Sequence, residues 1–196
     1  MQENEVFVLA DRTLDGVVQR IRDEQWSMVM PENFLTRVSD HRPTLREIID
    51  YHAYDDAWIP DMLAGRSMRE VGEDAFKGDL LGANPKGNFS NIVNTACAAA
   101  LALNDLDRTV HCSFGDFPAR DYFLQINLFR GSRAHDIARV LGIDPQLPEE
   151  LVQALWEEVS PHAEEWRKIG VFPAAVPVPE SAPLLSRLLG LTGRQP

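Results

Sequence analysis

Apolar positions recur at helical spacing through most of this chain. Val6, Leu9 or Ala10, Leu14, Val17 and Ile21 share one face, which predicts a first amphipathic helix over residues 5–24. The segment "PTLREIIDYHAYDDAWIPDMLAG" predicts a second. There Thr44 and Glu47 make a capping box and Gly65 a stop, while Pro60 removes a donor and should bend the helix near Asp56. Two adjacent stripes run along it: Ile48, Tyr51, Asp55, Trp58 and Met62 on one, Ile48 or Ile49, His52, Asp56, Ile59 and Leu63 on the other. Periodicity does not choose between them. Residues 66–88 are broken by glycine and proline and read as loop with a short helix. Ser90 then caps "NIVNTACAAALALNDL", whose alanine face suits close packing. "TVHCSFGDF" alternates as a short strand or hairpin arm. A long helix starts near Pro118 and stops at Gly142, another covers 148–168, and the chain closes on a proline-rich strap and a short helix carrying Leu184, Leu185, Leu188 and Leu189.

These elements predict an all-α fold, a four-helix bundle with a short β element, in which residues 171–196 pack as strap and short helix on the domain of residues 1–170. In the long helix, Tyr122, Ile126, Phe129, Arg133, Ile137 and Val140 follow one another at steps of four, three, four, four and three. Arg133 is the only charged member of that face. A guanidinium is not neutralised at ordinary pH, so a core-facing arginine needs a carboxylate, carbonyl groups or a bound anion.

At 196 residues the chain can bury a core without staples. Its two cysteines, Cys97 and Cys112, show no zinc-type spacing and read as reduced thiols of a cytoplasmic protein. No signal-peptide pattern or bilayer-length apolar run is expected. A formal charge of −11 argues against nucleic acid and anionic membrane as partners.

Three stretches in order, "PTLREIIDYH", "DIARVLG" and "FPAAVPVPESAPLLSRLLGLTGR", resemble the mycothiol-dependent maleylpyruvate isomerase-like group of the DinB superfamily. The closing strap, with its VPVP run, is the most distinctive of them. The resemblance implies a four-helix bundle whose metal is held by a histidine of helix 2 and by two ligands four residues apart on helix 4, and which activates a low-molecular-weight thiol. In this sequence the corresponding positions carry Tyr51, with His52 one residue off, Phe129 and Arg133. Phe129 has no donor atom, Arg133 repels a cation, and tyrosine is a poor zinc ligand. The expectation is a lost metal site with the Arg133 guanidinium in its place, and no cofactor beyond a low-molecular-weight thiol.

The resulting expectation is an enzyme of small-molecule metabolism, an isomerase, lyase or transferase, acting on an anionic metabolite between helices 2 and 4. Arg133 is its anion anchor, alongside Phe129, Trp58 and Asp136. Tyr51 or His52, with Asp55, moves a proton. Asp55 is expected to lie deeper than Asp56 because it shares a stripe with Tyr51 and Trp58. Two rivals stay open: a metal- and thiol-dependent transferase or isomerase rebuilt on His52, Asp56 and His135, and a non-catalytic binding protein whose Arg133 only completes a salt bridge with Asp55, Asp56 or Asp136. His111 and Cys112, adjacent on a strand, point to opposite faces and are set aside as a nucleophile pair. His41 belongs to the turn before helix 2, His135 and His162 read as packing or exposed residues, and Arg187 and Arg194 as partners of acidic surface. The family's bundles leave room for a homodimer or a partner subunit.

Overall fold

A computed structural model describes residues 1–32, 34 and 41–196. Among them are eight α-helices and one two-stranded antiparallel hairpin. The chain divides into two compact units, residues 2–146 and 147–196.

The first unit begins with α1, Glu3–Val18, followed by a 3-10 turn at Asp23–Gln25. Next comes α2, Leu45–Leu63, whose start is fixed by the expected capping box: the Glu47 amide donates to Thr44 Oγ1, and Glu47 Oε2 accepts from the Thr44 amide at 2.7 Å. Gly65, just past its end, takes φ +81°, a left-handed conformation that suits glycine. The broken stretch holds the short α3, Met68–Val71. The next helix, α4, spans Pro85–Ala102 and starts before Ser90, because Asn84 caps it through the Gly87 amide and Pro85 fits its first turn. Ser90 instead donates to the Asp15 carboxylate of α1 at 2.8 Å.

Strands β1, Thr109–Cys112, and β2, Gly115–Pro118, form the hairpin, with Val110 opposite Phe117 and Cys112 opposite Gly115. It feeds directly into α5, Ala119–Leu141, which stops where Gly142 adopts φ +67°. Helix α1 packs on α5 and α4, and α4 packs on α2. One apolar core, with Phe7, Leu14, Ile49, Ile59, Phe89, Phe123 and Ile137 among its members, lies between these four helices. By contrast, α2 and α5 meet through side chains more than through close backbone packing.

The second unit holds α6, Glu149–Val159, α7, Ala163–Lys168, and α8, Leu184–Leu191, so the helix expected over 148–168 is two helices. Both group with the C-terminal segment in the unit of residues 147–196. The strap is tied to α8 by the Val176 amide, which donates to Gly190 O at 2.9 Å. Arg187 lies 4.6 Å over the Trp156 ring, and Arg194 donates to Thr192 Oγ1. His162 stacks on Trp166.

Candidate functional site

Small residues decide which side of α5 faces the core. Gly131, Ala134 and Ala138 are buried and let α5 approach α1 closely; Phe123, Asn127 and Ile137 are buried with them. That orientation carries Arg130 inside, where it is 3% exposed. Its Nη2 donates to Asp56 Oδ1 at 2.6 Å and its Nη1 to His52 Nδ1 at 3.0 Å. Asp55 Oδ2 lies 3.7 Å from Nη1, and Asp11 Oδ1 of α1 lies 3.6 Å from Nε. Asp11 and Asp56 are both 0% exposed.

Two buried carboxylates thus share one guanidinium, and they also touch each other. Burial, then the neighbouring Asp56 charge, pushes Asp11 well above the carboxylate range. Burial also raises Asp56, to about 6, against the pull of Arg130. Asp11 Oδ1 and Asp56 Oδ2 meet no protein donor among the described residues. Burial of both carboxyl groups, and the Asp56 charge beside Asp11, favour a proton on the pair, which Arg130 meets at Asp56 Oδ1 and Cys97 Sγ at Asp11 Oδ2. Arg130 stays charged, because the carboxylates around it, Asp56 first, outweigh the cost of its burial.

His52 is drawn the other way. Burial, then the charges of Arg130 and Arg133, hold it well below the ordinary histidine value, so the imidazole is neutral. Asp55 sits at the rim with its side chain 34% exposed, and burial raises it against Arg130. It is the one carboxylate of the cluster that both reaches solvent and is shifted toward neutral pH. The Tyr122 phenol, buried nearby, is likewise raised by burial.

Several expected positions require correction. The buried arginine is Arg130, and Arg133 is half-buried at the rim with its guanidinium 4.8 Å over the Phe34 ring. The face from Tyr122 to Val140 is a boundary: Tyr122 and Ile137 are buried, Ile126 and Val140 are half-buried, and Phe129 is 44% exposed. Phe129 therefore does not line an interior pocket. On α2 the second stripe faces inward, so Asp56 lies deeper than Asp55, the reverse of the expected order, and Tyr51 is 65% exposed rather than opposite a core arginine. His52 and Asp56 face the core because Ile49, Ala53, Ile59 and Leu63 flank them there. Trp58 is buried but packs edge-on against Phe76 at 4.8 Å, as part of the hydrophobic core. Asp136 is half-buried beside His135, 3.5 Å from its Nδ1. His41 bonds Glu47 at 3.1 Å, and His111 bonds Asp116 across the hairpin at 2.8 Å. Burial raises the thiols of Cys97 and Cys112 to about 12, which leaves both inert as nucleophiles.

Asp11 and Arg130 went unrecognised in the sequence, although a signal exists for each. Phe7, Asp11, Leu14 and Val18 form a stripe of α1 with a single acid in it; Phe123, Asn127, Arg130, Ala134 and Ile137 form one of α5 with a single base. Opposite charges on two apolar stripes identify a buried pair.

Among the described residues no group of three or more His, Cys, Asp or Glu side chains is placed to hold a metal ion, and no helix is long and apolar enough to cross a membrane. His52 and Asp56 both direct acceptor atoms at the Arg130 guanidinium. Compared with protein-family models, with curated proteins and with solved structures, the chain matches none.

Proposed function

We propose that this chain is an enzyme of small-molecule metabolism on a metal-free DinB-like bundle, with its site at the rim between α2 and α5. The carrying observation is Asp55: a solvent-reaching carboxylate raised by burial, next to a buried guanidinium. A carboxyl group tuned toward neutral pH is suited to proton transfer. Arg133, half-buried and one turn along α5 from Arg130, is the anchor for an anionic group of the substrate. Arg130 stands against His52 of α2, close to where the family resemblance implies a metal, and supplies fixed positive charge there. Isomerisation, elimination, cyclisation and thiol transfer all use an anion anchor and a proton carrier.

A non-catalytic binding role is the second reading, and it is favoured by the completeness with which Asp56, Asp11 and His52 enclose Arg130. Thermal unfolding of wild type and Arg133→Met, each with acetate, malonate and inorganic phosphate, tests the shared premise. The expected result is stabilisation of wild type by at least one anion and a folded variant that no longer responds. An equal response in both proteins removes Arg133 from the site. Turnover lost in Asp55→Asn with anion binding kept favours the enzyme over the binding protein.

A further inference from the structure

The Arg130 guanidinium is met unevenly. Its two terminal nitrogens have partners on α2, Asp56 Oδ1 at 2.6 Å and His52 Nδ1 at 3.0 Å. Its Nε–H has no acceptor among the described residues, although Asp11 Oδ1 of α1 stands 3.6 Å away, beyond ordinary hydrogen-bond length. Asp11 Oδ1 and Asp56 Oδ2 have no protein donor among those residues either. Arg130 is 3% exposed and both carboxylates 0%, so bulk solvent does not serve these atoms. A proton on the carboxyl pair can bridge two of the oxygens, yet it gives the Arg130 Nε–H nothing, and each oxygen keeps a lone pair. A charged donor left unmet in the interior is costly, and buried groups that lack a protein partner are met by ordered water.

We propose that one internal water molecule is bound between α1 and α5, where it accepts from Arg130 Nε and donates to Asp11 Oδ1, with Asp56 Oδ2 as its third partner. The partners themselves select the ligand. It must accept from an N–H and donate to carboxylate oxygens, which water does. A metal cation would stand against the guanidinium, and an anion against the carboxylates. Two atoms 3.6 Å apart allow one oxygen to sit about 2.9 Å from both, the usual length of such bonds. Three polar partners are typical of an internal water. The consequence is an asymmetry in how the helices are joined. From α2, Asp56 and His52 hold the guanidinium directly; from α1, Asp11 is hydrogen-bonded to it through the water. This site is separate from the rim site argued above and needs no substrate.

The test is an atomic-resolution crystal structure of the full chain, together with water-selected NOE and ROE spectra of 15N-arginine-labelled protein, in which the Arg130 Nε–H signal is assigned by its loss in Arg130→Lys. The expected density is one solvent oxygen about 2.7–3.2 Å from both Arg130 Nε and Asp11 Oδ1. The expected spectra carry a cross-peak from the Nε–H to water with opposite signs in the two experiments, the mark of a bound molecule rather than of proton exchange. Density without a solvent oxygen at Nε overturns the proposal, whether or not Nε then bonds Asp11 directly, and so does an ion refined at that place. A visible Nε–H signal with no such cross-peak overturns it as well; where the signal is not seen, the density decides. In Asp11→Leu, which removes the α1 acceptor, the solvent oxygen and the cross-peak should both be lost. A water retained in that variant is not held by Asp11, and the bridge falls. If Asp11→Leu does not fold, the wild-type density and spectra decide alone.

Discussion

Burial and the Asp56 charge push Asp11 well above the carboxylate range in the middle of a charged cluster, and that has a measurable consequence. Its folded-state value lies well above its ordinary 3.8. As pH rises past 3.8 the unfolded chain releases this proton while the folded chain keeps it. Asp11 therefore contributes stability at low pH that is lost as pH climbs toward its folded value. Asp56 adds a loss of the same sign between 3.8 and about 6. His52 opposes both: its depressed value means the unfolded chain gains a proton below about 6.5 that the folded chain refuses, so its contribution is lost as pH falls. Asp11→Asn keeps the shape, keeps a donor toward Asp56 and removes the titration. The expected outcome is a variant at least as stable as wild type, with an advantage that grows from pH 5.5 to pH 8 in urea unfolding. A constant loss at both pH values would show that Asp11 works as a carboxylate, and the shared proton would be wrong.

At the scale of elements, the legible parts were those governed by local chemistry. Thr44 with Glu47, Pro118, Gly142 and the alternation through 109–117 each mark a boundary that the chain honours. What was not legible was rotation about a helix axis. Along α5 the larger apolar residues Ile126, Phe129 and Val140 trace a face more conspicuous than the one that turns inward, because close approach to α1 selects Gly131, Ala134 and Ala138, whose small side chains carry little hydrophobic signal. A rotation of about 60° around α5 moves the buried charge from Arg133 to Arg130, three residues back, and on α2 a shift of one residue exchanges Asp55 for Asp56. Ser90 misled for a related reason: a good capping residue also serves as an interhelical donor, here to Asp15. Two glycines separate local from tertiary constraint. Gly142 has φ +67° and open space around its missing Cβ, so Gly142→Ala should cost about 1 kcal/mol, from the backbone alone. At Gly190 a Cβ would stand 2.7 Å from Val176 O and clash with Val178, so Gly190→Ala should cost more and loosen the strap from α8. Chemical unfolding of the two variants orders them; a milder effect at Gly190 would mean that the strap is not held by this approach.

For the whole molecule, the division at residue 146 separates two kinds of chain. Every member of the large core, from Phe7 to Ala138, lies in residues 2–146, and so do Asp11, His52, Asp55, Asp56, Arg130 and Arg133. In the second unit Leu151, Leu155, Val159, Phe172 and Leu188 are buried, and α6 packs on α8. Chains of about 50 residues bury too little surface to be more than marginally stable, while about 150 residues suffice for an independent core. A chain ending at Gln146 should therefore fold cooperatively, keep the helical circular dichroism expected of α1 to α5, and still be stabilised by the anions that stabilise the full chain. Residues 147–196 alone should be largely unfolded. Because Arg130, Asp56 and Asp11 lie far from the cut in sequence, Asp11→Asn should show the same growing advantage at high pH in the shorter chain as in the full one. Loss of cooperative unfolding in the shorter chain would mean that its core is completed by the second unit, and the site would then have to be argued on the full chain.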